Sequence, residues 1–336
     1  MVLEEGAQGG YNFWNDIKLI HNALPEVDKD SISLRTEFLG AKLDAPIIIS
    51  SMTGGYSGAK EINTNLAYAA QNLKIAFSIG SQRAALKEPE LADSYKVVAD
   101  FSPPLVFANI GAPQLLALSY EEVRGLMAMI KAQGLMIHLN FAQEVVQESG
   151  DTRGKGCLDA IRRMAQRFAL LAKETGWGIS REVAQRLKVA GVRGIDVGGA
   201  GGTNFIAVEY HRAKRAGDEA KARLARTFFE WGIPTPVSLV QARVGLPLIA
   251  TGGIRTGLDA AKAIALGADI VGLAYPLLKP ATTSGEAVVE TLKSFIEELR
   301  TAMFLTGSEN IGALKNKQTV ITGLTKEWLD GLGETS

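Results

Sequence analysis

The sequence predicts an α/β fold, a (β/α)8 TIM barrel with an N-terminal extension and C-terminal helices, and three observations carry that prediction. Eight short apolar runs alternate with longer segments of helical period along the 336 residues, as expected of a parallel sheet covered by helices. The ends of those runs are unusually rich in polar and glycine residues, and sites on this fold gather at the carboxyl ends of its strands. The last two runs lead into Thr251-Gly-Gly-Ile-Arg-Thr-Gly257 and into Ala274, small residues of the kind that cradle a phosphate. Paired glycines let backbone N–H groups approach an anion closely, although Gly252 and Gly253 alone would also suit a plain tight turn.

Taken in order, residues 1–44 precede the barrel and residues 45–284 form it. The first strand is expected at Pro46-Ile-Ile-Ile-Ser50, running into Ser51-Met-Thr-Gly-Gly55; a short apolar run bounded by turn-forming residues marks a strand buried on both faces. The second, Ile75-Ala-Phe-Ser78, opens into Gly80-Ser-Gln-Arg83, and the third, Leu105-Val-Phe-Ala108, into Asn109-Ile-Gly111. The fourth, Leu135-Met-Ile-His-Leu139, carries His138 and leads to Asn140-Phe-Ala-Gln-Glu144. The fifth, Ala169-Leu-Leu-Ala172, ends at Lys173-Glu-Thr-Gly176, and the sixth, Gly194-Ile-Asp-Val197, opens into the glycine-rich stretch Gly198 to Asn204. The seventh and eighth are Leu248-Ile-Ala250 and Ile270-Val-Gly-Leu273. Between them, segments such as Ile62 to Leu73 and Leu258 to Leu266 repeat apolar residues at helical spacing. Residues 285–336 append amphipathic helices, so 1–336 reads as a single domain of a length suited to one barrel with additions.

Composition narrows the partners. Lys+Arg and Asp+Glu both number 36, so no net field favours nucleic acid or an anionic membrane, and an anionic ligand must be met by local groups. No apolar run approaches about 18 residues and no basic-then-apolar leader is present, so neither secretion nor membrane spanning is expected. The single cysteine, Cys157, excludes an intrachain disulfide and fits a cytoplasmic protein; it sits in a helical-looking segment and reads as an inert thiol.

Three charged residues at strand ends invite specific chemistry. Lys173 ends a buried strand, where an uncompensated charge is costly, so an anionic partner is expected: a cofactor, a carbonyl substrate held as a Schiff base, or simply Glu174. Arg83 follows the second strand, where a guanidinium fork could grip phosphate oxygens or form a surface ion pair. Glu144 would suit magnesium, which takes few carboxylates and retains water, but one glutamate does not by itself specify a metal.

The ordered set His21-Asn-Ala-Leu-Pro-Glu26, Met52-Thr-Gly-Gly55, Gly80-Ser-Gln-Arg83, His138-Leu-Asn140, Gln143-Glu144, Gly201-Gly-Thr203, Gly252-Gly-Ile-Arg255 and Thr301-Ala-Met-Phe-Leu-Thr-Gly307 resembles the flavin-dependent type 2 isopentenyl-diphosphate isomerases. The resemblance spans nearly the whole chain. It implies FMN, reduced in the active form with NADPH as reductant, a magnesium ion, and interconversion of isopentenyl and dimethylallyl diphosphates. It places Lys173 at the N1 and C2 carbonyl edge of the flavin, with Ser51, Met52, Thr53, Ser81, Asn109 and Thr203 around the ring and ribityl chain, and Gly252, Gly253, Arg255, Ala274 and Tyr275 at the phosphate. Ser81, Arg83, His138 and Gln143 are then expected to bind substrate, Glu144 the metal, and Gln143, His138 and Asn140 to act in catalysis, with Gln143 assisting rather than serving as principal acid. A homotetramer or higher symmetric oligomer is implied as well.

Three departures from the family stand out. No Arg-Lys pair precedes Lys18, so either a segment outside Met1–Tyr11 completes the diphosphate site or Arg83 and His138 carry it, the first being expected. Phe141 stands where proline is common, and Gly198 where a small hydroxyl or alanine is frequent. Among rivals, a 2-hydroxyacid oxidase needs a histidine beside an arginine after the seventh strand, and no histidine follows His211. A nucleotide dehydrogenase of the IMP type needs a nucleophilic loop cysteine, which Cys157 does not resemble, and a non-catalytic FMN-binding protein would leave Arg83, Gln143 and Glu144 without a role.

Overall fold

In the computed structural model, which describes residues 10–56 and 58–334, the eight apolar runs are the strands of a closed parallel barrel. They are β1 (Ile47–Ile49), β2 (Ala76–Ser78), β3 (Val106–Gly111), β4 (Gly134–Leu139), β5 (Leu170–Glu174), β6 (Gly194–Asp196), β7 (Leu248–Ala250) and β8 (Ile270–Leu273). Each pairs with the next in sequence, and β8 pairs with β1, Gly272 opposite Ile48, to close the ring. Helices such as Ala59–Asn72, Gly257–Ala265 and Gly285–Leu305 cover the outside.

Side chains alternate across each strand, and that alternation divides the core in two. Ile47 and Ile49 join the cluster between sheet and helices, whereas Ile48 joins an interior cluster with Ala76, Phe107, Met136, Leu171, Ile249 and Ile270. Phe38 and Leu43, from the hairpin Thr36–Phe38/Ala41–Leu43, complete this interior plug. They sit at the amino-terminal ends of the strands, where the Asp44 N–H bonds the Lys74 carbonyl. Two residues further along every strand, the same inward register reads Ser50, Ser78, Asn109, His138, Lys173, Asp196, Thr251 and Gly272. One step of the pleat converts an apolar plug into a polar floor.

The terminal segments are joined to one another. Residues 285–336 are not helical throughout: after the helices Gly285–Leu305 and Ile311–Lys315, the strand Thr319–Ile321 pairs antiparallel with Ile17–Leu19, and the helix Gly323–Gly331 follows. The Asp16 carboxylate ties the ends together by accepting from the Tyr11 hydroxyl at 2.5 Å and from the N–H and hydroxyl of Thr325 at 2.9 and 2.8 Å. Edge pairing of two short strands explains why sequence period missed them; three residues carry too little pattern. The expectation concerning a basic pair at the amino terminus falls largely on Met1–Gly9, outside the described residues. Among the described residues no helix is long and apolar enough to cross a membrane.

Candidate active site at the carboxyl ends of the barrel strands

A hydrogen-bonded chain crosses the first four strands of the polar floor. Ser51 Oγ lies 2.6 Å from Ser78 Oγ and accepts from Asn109 Nδ2 at 2.5 Å, and Asn109 Oδ1 lies 2.7 Å from His138 Nδ1. Because the Asn109 amide nitrogen is committed to Ser51, its oxygen must accept, and His138 Nδ1 must carry the proton. Burial, reinforced by the positive charges of Lys173 and Arg83, pulls His138 down to about 4, so the ring is neutral at pH 7 with Nε2 as an acceptor. Between that value and the ordinary 6.5 the unfolded chain binds a proton that the folded protein refuses. His138 therefore contributes stability that is fully present above about 6.5 and is lost as pH falls toward 4. Urea midpoints measured across that window are expected to fall less steeply for His138→Phe than for the parent protein; parallel profiles would contradict the assignment.

Lys173 and Asp196 continue the floor on β5 and β6, where they are direct register partners. Lys173 Nζ donates to the Glu174 carbonyl at 2.9 Å and lies 3.6 Å from Asp196 Oδ2. The expected alternative of a Lys173–Glu174 ion pair is not formed. Glu174 Oε2 instead accepts the N–H groups of Thr175, Gly176, Trp177 and Gly178 at 2.6, 2.8, 2.6 and 3.2 Å, folding the loop around itself. Burial pushes this carboxyl up to about 7 against the pull of those amides. Gly198, with φ +43°, crosses so close that a Cβ would lie 2.0 Å from the Glu174 carbonyl oxygen. That contact gives the Gly198 departure a local reason in this chain.

The loops above the floor are set by buried side chains that sequence reasoning did not single out. Gln82, fully buried, bonds the Asn109 N–H and the Leu126 carbonyl, leaving Ser81 and Arg83 half-exposed on either side of it. Tyr95 donates to the Ser81 carbonyl at 2.7 Å and lies under Gly54, where a Cβ would meet its ring at 2.0 Å. The Thr53 hydroxyl is turned away into Asn63 at 2.8 Å, so Thr53 offers the mouth its backbone. The positive charge of Arg83 is among the influences that hold the His138 and Asp151 values down.

After β4, Asn140 Nδ2 donates to Glu144 Oε1 at 2.9 Å, and the Asp151 N–H donates to Glu144 Oε2 at 2.5 Å. Asn140 Oδ1 is buried without a partner. Gln143 Nε2 donates at 2.8 Å to Glu209, a buried carboxylate on the helix Phe205–Ala216 that also accepts from Arg212. Cys157 is buried, donates to the Arg153 carbonyl and has its thiol pushed up by burial.

At β7 the Gly252-Gly253 turn runs at φ +100° and +75°, a conformation that L side chains rarely adopt. A Cβ on Gly202, in the loop after β6, would lie 2.7 Å from the Gly253 nitrogen, so the two glycine-rich loops abut. Trp14, fully buried, props the turn from behind by donating from its indole to the Gly252 carbonyl at 3.0 Å, and Lys262 Nζ holds the Trp14 carbonyl at 2.8 Å. Trp14→Ala is expected to lower the unfolding free energy by about 3–5 kcal/mol, read from urea titration; an unchanged midpoint would exclude this buttress. Arg255 is exposed, its N–H taken by Asp259, and its side chain lines a cavity of about 320 Å³ with Leu277 and Phe295 beside the helix Gly285–Leu305. Ala274 and Tyr275 are half-buried at the end of β8, and Thr203 is half-buried in the β6 loop.

Set against known proteins, the chain is 47% identical over 99% of its length to the isopentenyl-diphosphate delta-isomerase of Methanosarcina acetivorans, covering 91% of that protein. It is 46% identical over 99% of its length to the Archaeoglobus fulgidus enzyme of the same name, covering 96% of it. The chain belongs to the isopentenyl-diphosphate delta-isomerase family. The family profile described as FMN-dependent dehydrogenase matches residues 158–321, which hold both glycine-rich loops and Lys173. Among solved structures, a mandelate oxidase superposes with TM-score 0.64 at 16% identity, covering 96% of this chain and 95% of that one. A Pediococcus acidilactici lactate oxidase does so with TM-score 0.62 at 18% identity, covering 92% and 84%. At those identities the likeness concerns the barrel alone.

Proposed function

We propose that this chain is an FMN-dependent isopentenyl-diphosphate delta-isomerase, which moves a proton between the two ends of an allylic system and thereby interconverts isopentenyl and dimethylallyl diphosphates. Family membership at 44–47% identity over nearly the whole chain carries the reaction. The single structural observation that carries the site is the polar floor and the loop above it, where Ser50 Oγ and Asn140 Oδ1 are buried with no hydrogen-bond partner. Such atoms are costly unless a bound group completes them.

The residues fit a flavin nucleotide. The Gly252-Gly253 turn, with Ala274 and Tyr275, would hold the phosphate on backbone amides; Ser51, Met52, Thr53, Ser81, Asn109 and Thr203 would line the ring and ribityl chain; Lys173 would meet the N1 and C2 carbonyl edge. Reduced FMN, when bound, supplies the proton donor and acceptor for the alkene. Arg83 and Ser81 grip the diphosphate, and neutral His138 presents Nε2 to a donor at the mouth. Asn140 and Gln143 orient the hydrocarbon end. Glu144, its carboxylate oriented by Asn140 Nδ2 and the Asp151 N–H, would hold magnesium together with water and phosphate oxygens. NADPH as reductant, a cytoplasmic location and assembly as a homotetramer or higher symmetric oligomer complete the reading.

Purified protein is expected to release FMN on denaturation and, after reduction with magnesium present, to convert isopentenyl into dimethylallyl diphosphate. No turnover from reduced, FMN-loaded protein would refute the assignment. Glu144→Gln is expected to raise the magnesium concentration giving half-maximal rate by about 10–100-fold; an unchanged magnesium dependence would remove Glu144 as ligand.

A further inference from the structure

We propose that Asp196 is the positioning residue for Lys173: it fixes the ammonium against the flavin and sets how much more tightly the site holds reduced FMN than oxidised FMN. The inference rests on the FMN reading above and concerns a residue to which neither the sequence motifs nor the family comparison gave a role.

Three contacts carry it. Lys173 and Asp196 are register partners on β5 and β6 in one inward-facing layer, 3.6 Å apart from Nζ to Oδ2. Asp196 Oδ1 accepts the hydroxyl of Thr251 on the third strand of the row, so the carboxylate cannot rotate away. Asp196 Oδ2 has no hydrogen-bond partner although the residue is fully buried, and Lys173 is the cation facing it. An ammonium has three donors; the Glu174 carbonyl takes one, Asp196 draws the second, and the third is left for a ligand at the mouth. Burial works against ionising Asp196, while Lys173, Thr251 and the Gly198 N–H work for it.

The consequence is electrostatic. With Asp196 ionised, the pair is close to neutral, so the attraction of Lys173 for a negative flavin is offset by a carboxylate lying behind it. Reduction with loss of the N1 proton adds negative charge to the ring, whereas oxidised FMN has a neutral ring. Removing the carboxylate charge leaves Lys173 uncompensated, which stabilises the reduced form selectively. Removing only the Thr251 hydroxyl withdraws one of the groups that favour the ionised carboxylate, so it acts in the same direction and more weakly.

The test is the midpoint potential of FMN-loaded protein, measured by reductive titration against a reference dye. Asp196→Asn is expected to favour reduced over oxidised FMN by about tenfold, a positive shift of about 30 mV for a two-electron couple. Thr251→Val is expected to shift the potential positive by a smaller amount. A loss of packing alone would lower thermal stability without moving the two potentials apart. An Asp196→Asn potential equal to or below that of the parent protein overturns the proposal. Should Asp196→Asn fail to fold, an unchanged potential in Thr251→Val overturns it. Parent protein that takes up no FMN would defeat the cofactor reading itself, and this inference with it; normal uptake with unmoved potentials defeats the inference alone.

Discussion

Replacing Lys173 with alanine is expected to produce two separable losses. The first is stability: Lys173 is the counter-charge of Asp196, which is fully buried, and removing one partner of a buried ion pair costs about 3–5 kcal/mol because the other charge is left uncompensated. The second is cofactor binding. A hydrogen bond to a charged group contributes about 1.5–3 kcal/mol, so the dissociation constant of reduced FMN is expected to rise by about 10- to 150-fold, read by flavin fluorescence. Adding Asp196→Asn to Lys173→Ala removes the orphaned charge. The double variant is therefore expected to recover much of the stability and none of the FMN affinity, a cycle that isolates the pair from the ligand contact. FMN binding unchanged in Lys173→Ala would take the lysine out of the flavin site, whatever happened to stability.

The barrel was legible in the sequence because each of its strands is a short apolar run, and all eight were found within a few residues of their observed bounds. Three positions of the polar floor were legible too. Asn109, His138 and Lys173 stand out because polar residues at the ends of apolar runs are conspicuous. Ser50, Ser78, Asp196 and Thr251 were passed over as parts of strands, yet they occupy the same inward register, two residues beyond Ile48, Ala76, Gly194 and Ile249. Asp196 carried a signal that went unused. A charge on a buried strand needs a partner, and Gly194-Ile-Asp-Val197 carries one just as the strand before Lys173 does, so the same rule pairs the two. Trp14 and Glu209 were beyond reach for a different reason. Their partners, Gly252 and Gln143, lie 238 and 66 residues away in sequence, and no local pattern records a contact made only when the chain is folded.

Gln143→Ala is expected to lower kcat by about 10²-fold or more, with a smaller change in KM. Gln143 sits in the first turn of the helix Phe141–Val146, next to the proposed metal ligand Glu144. Its Nε2 is held by Glu209, which fixes the amide and leaves Oε1 without a partner among the described residues. A carboxylate accepts only, so Glu209 dictates which end of the amide is free. Orientation at this level matters because misplacement of a positioning group by about 1 Å can cost 10²-fold in rate. Glu209→Gln provides the discriminating variant. It keeps the shape but can donate as well as accept, so the Gln143 amide is free to turn over, and kcat is expected to fall by about tenfold with KM held, the loss of a transition-state contact and not of uniform binding. If Gln143→Ala instead raises KM and leaves kcat intact, Gln143 serves only to bind the substrate, and the proton traffic at this site runs without it.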